Sequence, residues 1–304
     1  MHAYFSSPAL TTVSIITVCY KFTANFFMRN RFLSFSILIL IPQFYFAQVA
    51  KEAFGCHCPM MNNGQKGKFY ISYGYNLDWF TKSDIHLKDK STDNYDFTLH
   101  AAKAEDRPGF DDMFSGDITI PQYSYRFGYF FGNRGQWAVE INYDHVKYVM
   151  LNYQRVHLTG EIHGESFDKD TLVVEEFVMY EHTNGANYMM FNGVARKDFI
   201  HAKNELHWLS GIAKAGAGIV LPRSDTNIMG HRRNDQYHVA GYVAGIDLGL
   251  RYDFLKHFYF ETSGKFAFAN YTNVYLYKDG RAHQHWFSFE YVFTIGFQFN
   301  GKLF

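Results

Sequence analysis

The residue types that could carry chemistry are concentrated in one short segment, which runs from Glu181 to Gly185 and reads Glu-His-Thr-Asn-Gly. A histidine can act as a general base, a hydroxyl can act as a nucleophile, and a carboxylate can orient the imidazole. His182, Thr183 and Glu181 are therefore the candidate catalytic residues of the chain. In an extended strand, however, adjacent side chains point to opposite faces, so Thr183 would point away from His182.

The same segment also has a purely structural interpretation. An Asn-Gly pair favours a turn, here with Asn184 and Gly185 at positive φ angles and His182 hydrogen-bonded beside it. If the pair instead breaks the extended run, Thr183 could approach His182, with Glu181 or Glu176 orienting the imidazole. The turn is the simpler of the two interpretations.

Three arginines form a second candidate site, because Arg223, Arg232 and Arg233 lie within one polar stretch. The planar guanidinium group donates two hydrogen bonds at once and therefore suits phosphate. These residues are candidates for binding a lipid phosphate, and the alternative is that they are solvated loop residues.

No pattern in the sequence indicates a metal ion or a cofactor. Cys56 and Cys58 flank His57, which is fewer ligands than the four of a structural zinc site. A disulfide, a soft-metal site or a lipid-modified cysteine are the alternatives left open for this pair. The formal charge is +0, with 29 basic and 29 acidic residues, which argues against a nucleic-acid partner.

The elements that must position these residues are long alternating strands, and the clearest is residues 285–300. Every odd position from 287 to 299 carries an apolar residue, in all cases but one an aromatic, while mostly small or polar residues fill the even positions. This pattern is typical of a strand with one face toward lipid. The region after residue 50 has no apolar run of about 20 residues, so a helical membrane protein is excluded.

Eight segments of this kind follow one another along the chain, at 68–80, 121–131, 136–150, 187–200, 205–221, 237–254, 257–273 and 285–300. Their connections alternate between short turns and long loops, and the long loops are 81–120, 151–186, 222–236 and 274–284. Short periplasmic turns and long extracellular loops are typical of outer-membrane barrels. The sequence predicts an all-β fold, a transmembrane antiparallel up-and-down β-barrel of eight strands. Ten strands result if Val156–His163 and Leu172–Tyr180 join the wall rather than form a hairpin above it.

The same alternation predicts which charged residues point into the barrel. These are six acids and five bases: Asp78, Arg126, Glu140, Asp144, Arg196, Lys214, Asp247, Arg251, Glu261, Lys265 and Glu290. The interior of an eight-stranded barrel is just wide enough for side chains to fill it. We therefore expect these charges to pair with one another and to plug the lumen rather than to line a pore.

The first 47 residues predict export. Met28 begins a leader with a positive start at Arg29, an apolar stretch, and Ala47 at a plausible cleavage point. The division we predict is an upstream extension at 1–27, a signal peptide at 28–47, a periplasmic tail at 48–67 and the barrel at 68–304. The alternative for the first segment is a membrane anchor around Leu10 to Tyr20. The predicted location is the outer membrane.

With a leader, eight alternating segments and an aromatic end at Phe304, residues 68–304 resemble the small outer-membrane β-barrel proteins of Gram-negative bacteria. The Phe-Ala-Gln leader end and the aromatic richness resemble proteins of Bacteroidetes. The resemblance implies that the last strand, ending at Phe304, binds the barrel-assembly machinery. It also implies that outer-membrane lipid or lipopolysaccharide is a partner of the chain.

The segment at His182 is similar to the His-x-Ser-Asn segment of outer-membrane lipid A deacylases and of the outer-membrane phospholipase. This chain has Asn184 where that segment has its serine, and asparagine cannot be an acyl nucleophile.

Three functions follow as hypotheses. The first is an envelope component or a surface and lipid-interaction scaffold with a plugged, charge-filled lumen; the second is a lipid-modifying enzyme of the outer leaflet, either an ester hydrolase or an acyltransferase; the third is a narrow channel for small solutes. The balanced charge of the lumen favours the first.

Overall fold

The computed structural model describes residues 65–109, 121–132, 135–202, 206–234 and 236–301. The predicted leader, Cys56, Cys58 and Phe304 lie outside the described residues. Within those residues there is no helix long and apolar enough to cross a membrane.

The described chain forms seventeen strands, numbered in chain order. They are β1 Lys68–Phe80, β2 Ser83–Asp89, β3 Tyr95–Ala102, β4 Ala104–Asp106, β5 Ser124–Phe131, β6 Trp137–Asp144, β7 Tyr148–Met150, β8 Arg155–Ile162, β9 Glu165–Leu172, β10 Val178–His182, β11 Tyr188–His201, β12 His207–Val220, β13 Asp225–Ile228, β14 His231–Asn234, β15 Gly241–Phe254, β16 Phe258–Tyr275 and β17 Arg281–Asn300.

Eight of these strands pair into a closed antiparallel ring, in the order β1, β5, β6, β11, β12, β15, β16 and β17. The ring closes because β17 pairs with β1 along the whole of β1, from Lys68 opposite Asn300 to Phe80 opposite Ser288. Each ring strand is a neighbour of the next ring strand along the chain. The predicted all-β, antiparallel, up-and-down fold is therefore confirmed.

Side chains alternate across the ring wall as strand geometry requires. On β17 the exposed residues between Phe287 and Phe297 are apolar, and the residues between them, such as Ser288 and Thr294, are buried in the lumen. On β6, Trp137 and Ile141 are exposed while Glu140 and Asp144 are buried. The wall therefore has an apolar outer surface and a polar interior.

The predicted long loops 81–120, 151–186 and 222–236 contain strands in their described parts. The remaining strands, together with the described connections between them, form a folded unit at one end of the ring, and we call this unit the cap. One part continues the barrel sheet, because β2 pairs with the first residues of β17 and is followed by β3, β8 and β9. The other part is a separate sheet in the order β14, β13, β10, β7 and β4.

The two alternative wall segments lie in different parts of the cap. Val156–His163 corresponds to β8, whose hairpin partner is β9 across a turn at His163 and Gly164, both at positive φ. Leu172–Tyr180 is not one strand, because β9 ends at Leu172 and β10 begins at Val178 in the other sheet. The hairpin above the barrel was predicted with the wrong partner, and none of the three strands joins the ring.

A large apolar core fills the cap. It includes Ile85, Leu87 and Phe97 from the extended barrel sheet and Val178 and Tyr180 from β10, together with residues at the upper ends of the ring strands. This core explains why the long connections fold: they bury one apolar face against another instead of against lipid.

Candidate functional site

The lumen holds a continuous chain of ion pairs that runs from one end of the barrel to the other. All eleven predicted inward residues are buried, with at most 6% of their surface exposed. The chain alternates strictly between acids and bases in the order Asp198, Arg196, Asp253, Arg251, Glu261, Lys214, Glu140, Arg126, Asp144, Lys265 and Glu290. Each base therefore contacts two acids.

The links in this chain are mostly close. Arg196 lies 2.8 Å from Asp198 and 2.7 Å from Asp253, and Lys214 Nζ lies 2.6 Å from Glu261 and 3.0 Å from Glu140. The links of Arg251 to Glu261 and of Arg126 to Glu140 are longer, at 3.8 and 3.7 Å. Because buried charges are costly unless paired, this alternation is what permits eleven ionisable groups to occupy one interior.

Two members of the chain, Asp198 and Asp253, were missed in the sequence. Asp253 has the same strand phase as Arg251, so the alternation could have found it. The register of β11 shifts between Asp198 and Ile200. Such a shift interrupts the strict alternation of inward and outward side chains, so Asp198 could not be assigned from the pattern.

Two predicted lumen residues lie outside the chain. Asp78 accepts hydrogen bonds from Asn76 Nδ2 at 3.0 Å and from Gln122 Nε2 at 3.1 Å. Gln122 also donates to Asp106 of the cap at 3.2 Å, and burial raises the pKa of Asp106 to about 7. Asp247 lies in register opposite Lys214 on one side and Lys265 on the other.

Aromatic side chains fill the end of the lumen opposite the cap. Tyr70, Phe130 and Tyr259 belong to one buried cluster there. The Arg251 guanidinium lies 3.4 Å from the centre of the Tyr259 ring, a cation–π arrangement. Both tyrosine rings lie over glycines, since a Cβ built on Gly128 would come within 2.2 Å of Tyr70 and one on Gly296 within 2.1 Å of Tyr259. The glycines thus leave room for the rings inside the barrel.

A cavity of about 10 Å³ lies beside Arg126, Asn192, Asp247 and Lys265, which is about enough for a single water molecule. At the cap end, Trp286 Nε1 donates to the Tyr188 hydroxyl at 2.9 Å, and both side chains are buried. The described barrel interior is therefore lined with charged, polar and aromatic side chains that contact one another.

His182, the central residue of the candidate catalytic segment, lies inside the cap core. It is fully buried among aromatic side chains and stacks on Tyr271 with ring centres 5.2 Å apart. Its Nδ1 atom is hydrogen-bonded to the Ser224 hydroxyl at 2.8 Å. Ser224 was not among the predicted residues, because it is 42 residues away along the chain and is brought near by the pairing of β10 with β13.

The candidate catalytic residues are not assembled for acyl transfer. Thr183 donates its hydroxyl hydrogen to Glu181 at 2.9 Å rather than contacting His182. Ser224 is as fully buried as His182, so no ester could reach the pair without opening the cap. Burial lowers the pKa of His182 to about 3, which makes it a weak base. The turn was predicted to have positive φ angles at both Asn184 and Gly185. Gly185 has a φ of 125°, whereas the φ of Asn184 is not positive.

Two of the three predicted phosphate ligands contact other groups of the cap. Arg232 makes a two-point ion pair with Asp225, at 2.9 and 2.7 Å. Arg233 donates to the carbonyl oxygens of Leu276 and Lys278 at 2.9 and 3.1 Å. Arg223 is exposed in the segment before β13. Two of the three guanidinium groups therefore hold the cap together.

The described residues contain no group of three or more His, Cys, Asp or Glu side chains placed to hold a metal ion.

Comparison with known proteins adds structural likenesses only. No protein-family model matches the chain, and no curated protein matches it. Among solved structures, Ail, the attachment invasion locus protein of Yersinia pestis, is 15% identical with a TM-score of 0.30, covering 77% of this chain and 99% of that one. Neisserial surface protein A is 10% identical with a TM-score of 0.32, covering 77% and 100%. The outer membrane protein OprG from Pseudomonas aeruginosa is 12% identical with a TM-score of 0.31, covering 79% and 99%. The fold assignment of this chain accordingly rests on its own strand pairing.

Proposed function

We propose that this protein is a plugged outer-membrane β-barrel that serves as a scaffold for its extracellular cap, which makes contacts with envelope lipid or with partners at the cell surface. The observation that carries the proposal is the chain of paired charges that fills the lumen. A passage for solutes requires open space, and the side chains here occupy that space with one another.

The outer surface of the ring supports a membrane location. On β17 the outward row is apolar from Phe287 to Phe299 and changes to histidine at His285 and His283. With a rise of about 3.3 Å per residue and a tilt of about 40°, this apolar stretch makes a band roughly 30 Å tall, about the thickness of the hydrocarbon core.

The neighbouring strand supports the same upper limit of the band. Phe268 of β16 lies opposite Phe287, and the next outward residue, Asn270, lies opposite His285. The change from aromatic to polar residues therefore occurs at the same register on both strands. The cap begins directly above this level, because β2 pairs with Arg281–Gln284 of β17.

Labelling of whole cells tests the orientation in the proposal. In a protein whose Cys56 and Cys58 are replaced by Ser, we expect Lys90→Cys and Glu165→Cys in the cap to react with a large polymer-linked maleimide that cannot enter the cell. Lys66→Cys, at the opposite end of the ring, is the matched control and should react only after the outer membrane is permeabilised. Labelling of Lys66→Cys but not of the cap variants in intact cells would contradict the proposal.

A further inference from the structure

A groove of about 640 Å³ lies in the membrane-proximal part of the cap, away from both candidate sites of the sequence. It is formed where the segments around Lys82, Lys103 and Arg155 meet. Small-molecule sites in proteins typically have volumes of about 300 to 1,000 Å³, so the groove has room for a ligand headgroup.

The lining of the groove is cationic. Lys82, Lys103 and Arg155 are its charged residues, and none of the eleven lining residues is acidic. Two histidines, His100 and His157, complete the polar part of the wall.

Three carboxylates beside the groove contact its backbone or its histidines. Asp84 accepts hydrogen bonds from the Ala101 amide at 2.7 Å and lies 3.2 Å from His100 Nδ1. Asp168 and Asp170 lie 2.9 and 3.0 Å from the two ring nitrogens of His157. The acids beside the groove therefore hold its histidines, while the two lysines and the arginine are exposed.

The groove is at the level where lipid headgroups meet the protein. The Thr81 amide donates to the carbonyl of Phe287 at 2.9 Å, and the Phe287 amide donates to the Thr81 hydroxyl at 3.0 Å. Phe287 is the uppermost aromatic residue of the outward row on β17, and Lys82 follows Thr81 directly. A cation of the groove thus lies one residue above the apolar band.

The backbone of the groove is held in an unusual conformation. Ala101 and Tyr153, both in the lining, have positive φ angles of 54° and 58°. Neither is glycine, so each conformation costs free energy that the surrounding structure must supply. Gln154 fixes this region by accepting from the Lys103 amide at 2.8 Å and donating to the Lys103 carbonyl at 2.9 Å. Tyr153 is left 72% exposed at the rim.

We propose that this groove binds the phosphorylated headgroup of an outer-leaflet lipid, with Lys82, Lys103 and Arg155 as the phosphate ligands. Arginine forms two parallel hydrogen bonds with a phosphate, and lysine contributes a point charge. Tyr153 offers an apolar surface with a hydroxyl at its tip to the lipid sugar or chain. The inference rests on the proposed function, because it requires the cap to lie over the outer leaflet.

The test is a binding titration by native mass spectrometry with the full mature protein in detergent micelles. The probes are lipid A carrying both phosphates, the same lipid A after removal of the phosphates, and inorganic phosphate. The test variant combines Lys82→Gln, Lys103→Gln and Arg155→Gln. The matched control combines Lys90→Gln, Lys197→Gln and Lys278→Gln, which removes the same number of positive charges from exposed positions elsewhere.

We expect phosphorylated lipid A to bind the unmodified protein and the control alike, and the groove variant at least about tenfold more weakly. Removing the phosphates from the lipid should cause a similar loss, and rising salt should weaken binding. Equal affinity of the groove variant and the control overturns the proposal. If inorganic phosphate binds the groove as tightly as phosphorylated lipid A does, the ligand is phosphate alone and the lipid assignment is overturned.

The groove variant is expected to fold, and its result is independent of the labelling experiment. The side chains of Lys82, Lys103 and Arg155 are exposed, and Lys103 is held through its backbone, so we expect the variant to fold; the three single variants provide a second measurement of the same effect. Binding in micelles does not depend on orientation in cells. Failure of lipid binding is therefore distinguishable from failure of the labelling experiment.

Discussion

Lys214 Nζ lies 3.0 Å from each carboxylate oxygen of Glu140, although Lys214 is on β12 and Glu140 is on β6, with β11 between them in the ring. The contact bridges over an intervening strand inside the barrel. It also joins the two halves of the ion chain, because Lys214 contacts Glu261 on the other side. The stability of the barrel should therefore depend strongly on this one cation.

Replacing Lys214 by Met tests that dependence. The variant leaves Glu140 and Glu261 buried with one cation fewer between them, which we expect to lower the free energy of unfolding by about 3 to 5 kcal/mol. Unfolding titrations in urea with lipid vesicles provide the measurement. Lys197→Met, on the exposed side of β11, is the control and should change the free energy by less than about 0.5 kcal/mol. Equal effects of the two substitutions would count against the ion chain.

Gly296→Ala tests the packing of the aromatic cluster. The new methyl group would lie 2.1 Å from the Tyr259 ring, which must shift and so disturb its contact with Arg251, and we expect destabilisation of about 1 to 3 kcal/mol. Gly193→Ala is the matched control, because its nearest neighbour would be 3.9 Å away. Thermal unfolding of the two variants in the same detergent should separate them. A Gly193 variant as unstable as the Gly296 variant would point to strand propensity instead.

Phe293→Arg tests the assignment of the lipid face. Phe293 is 46% exposed on the outward row, and an arginine at mid-strand on that face should cost about 2 to 4 kcal/mol. Thr294→Ser changes the adjacent lumen position and should cost less than about 1 kcal/mol. Refolding into lipid vesicles measures both, and the opposite ranking would reverse the inner and outer faces.

Acid should weaken the cap through His182. The folded pKa of about 3 lies below the ordinary value of 6.5, so the unfolded cap binds a proton that the folded cap does not. The stabilisation is fully present above pH 6.5 and is lost progressively as the pH falls toward 3. Protease resistance of the cap should fall over this range, and less steeply in His182→Phe, which retains an aromatic ring. Identical pH profiles for the two proteins would show that His182 does not carry the effect.

The barrel wall could be predicted from the sequence because strand alternation is a local pattern that lipid on one side and charges on the other make unusually clear. Apart from β8, strands of the cap were not predicted, since some are very short, such as β7 with three residues, and β9 is polar and largely exposed. Their order depends on which apolar faces pack together in three dimensions.

Within the lumen, the alternation of side chains along the strand predicted that Arg126 points inward, but it did not predict the partners of Arg126. Glu140 and Asp144 are on the next strand of the ring, and register decides which of them Arg126 meets. The hydrogen-bond partner of His182 could not be predicted from the sequence either. Thr183 is adjacent in sequence and yet turns to Glu181, whereas Ser224 arrives through the pairing of two cap strands.

Single-channel recording in planar bilayers tests most directly whether paired charges and aromatic rings close the lumen. The unmodified protein, inserted with its cap intact, should give no sustained current at moderate voltage. Large, steady single-channel currents from the same preparation would contradict the plugged barrel.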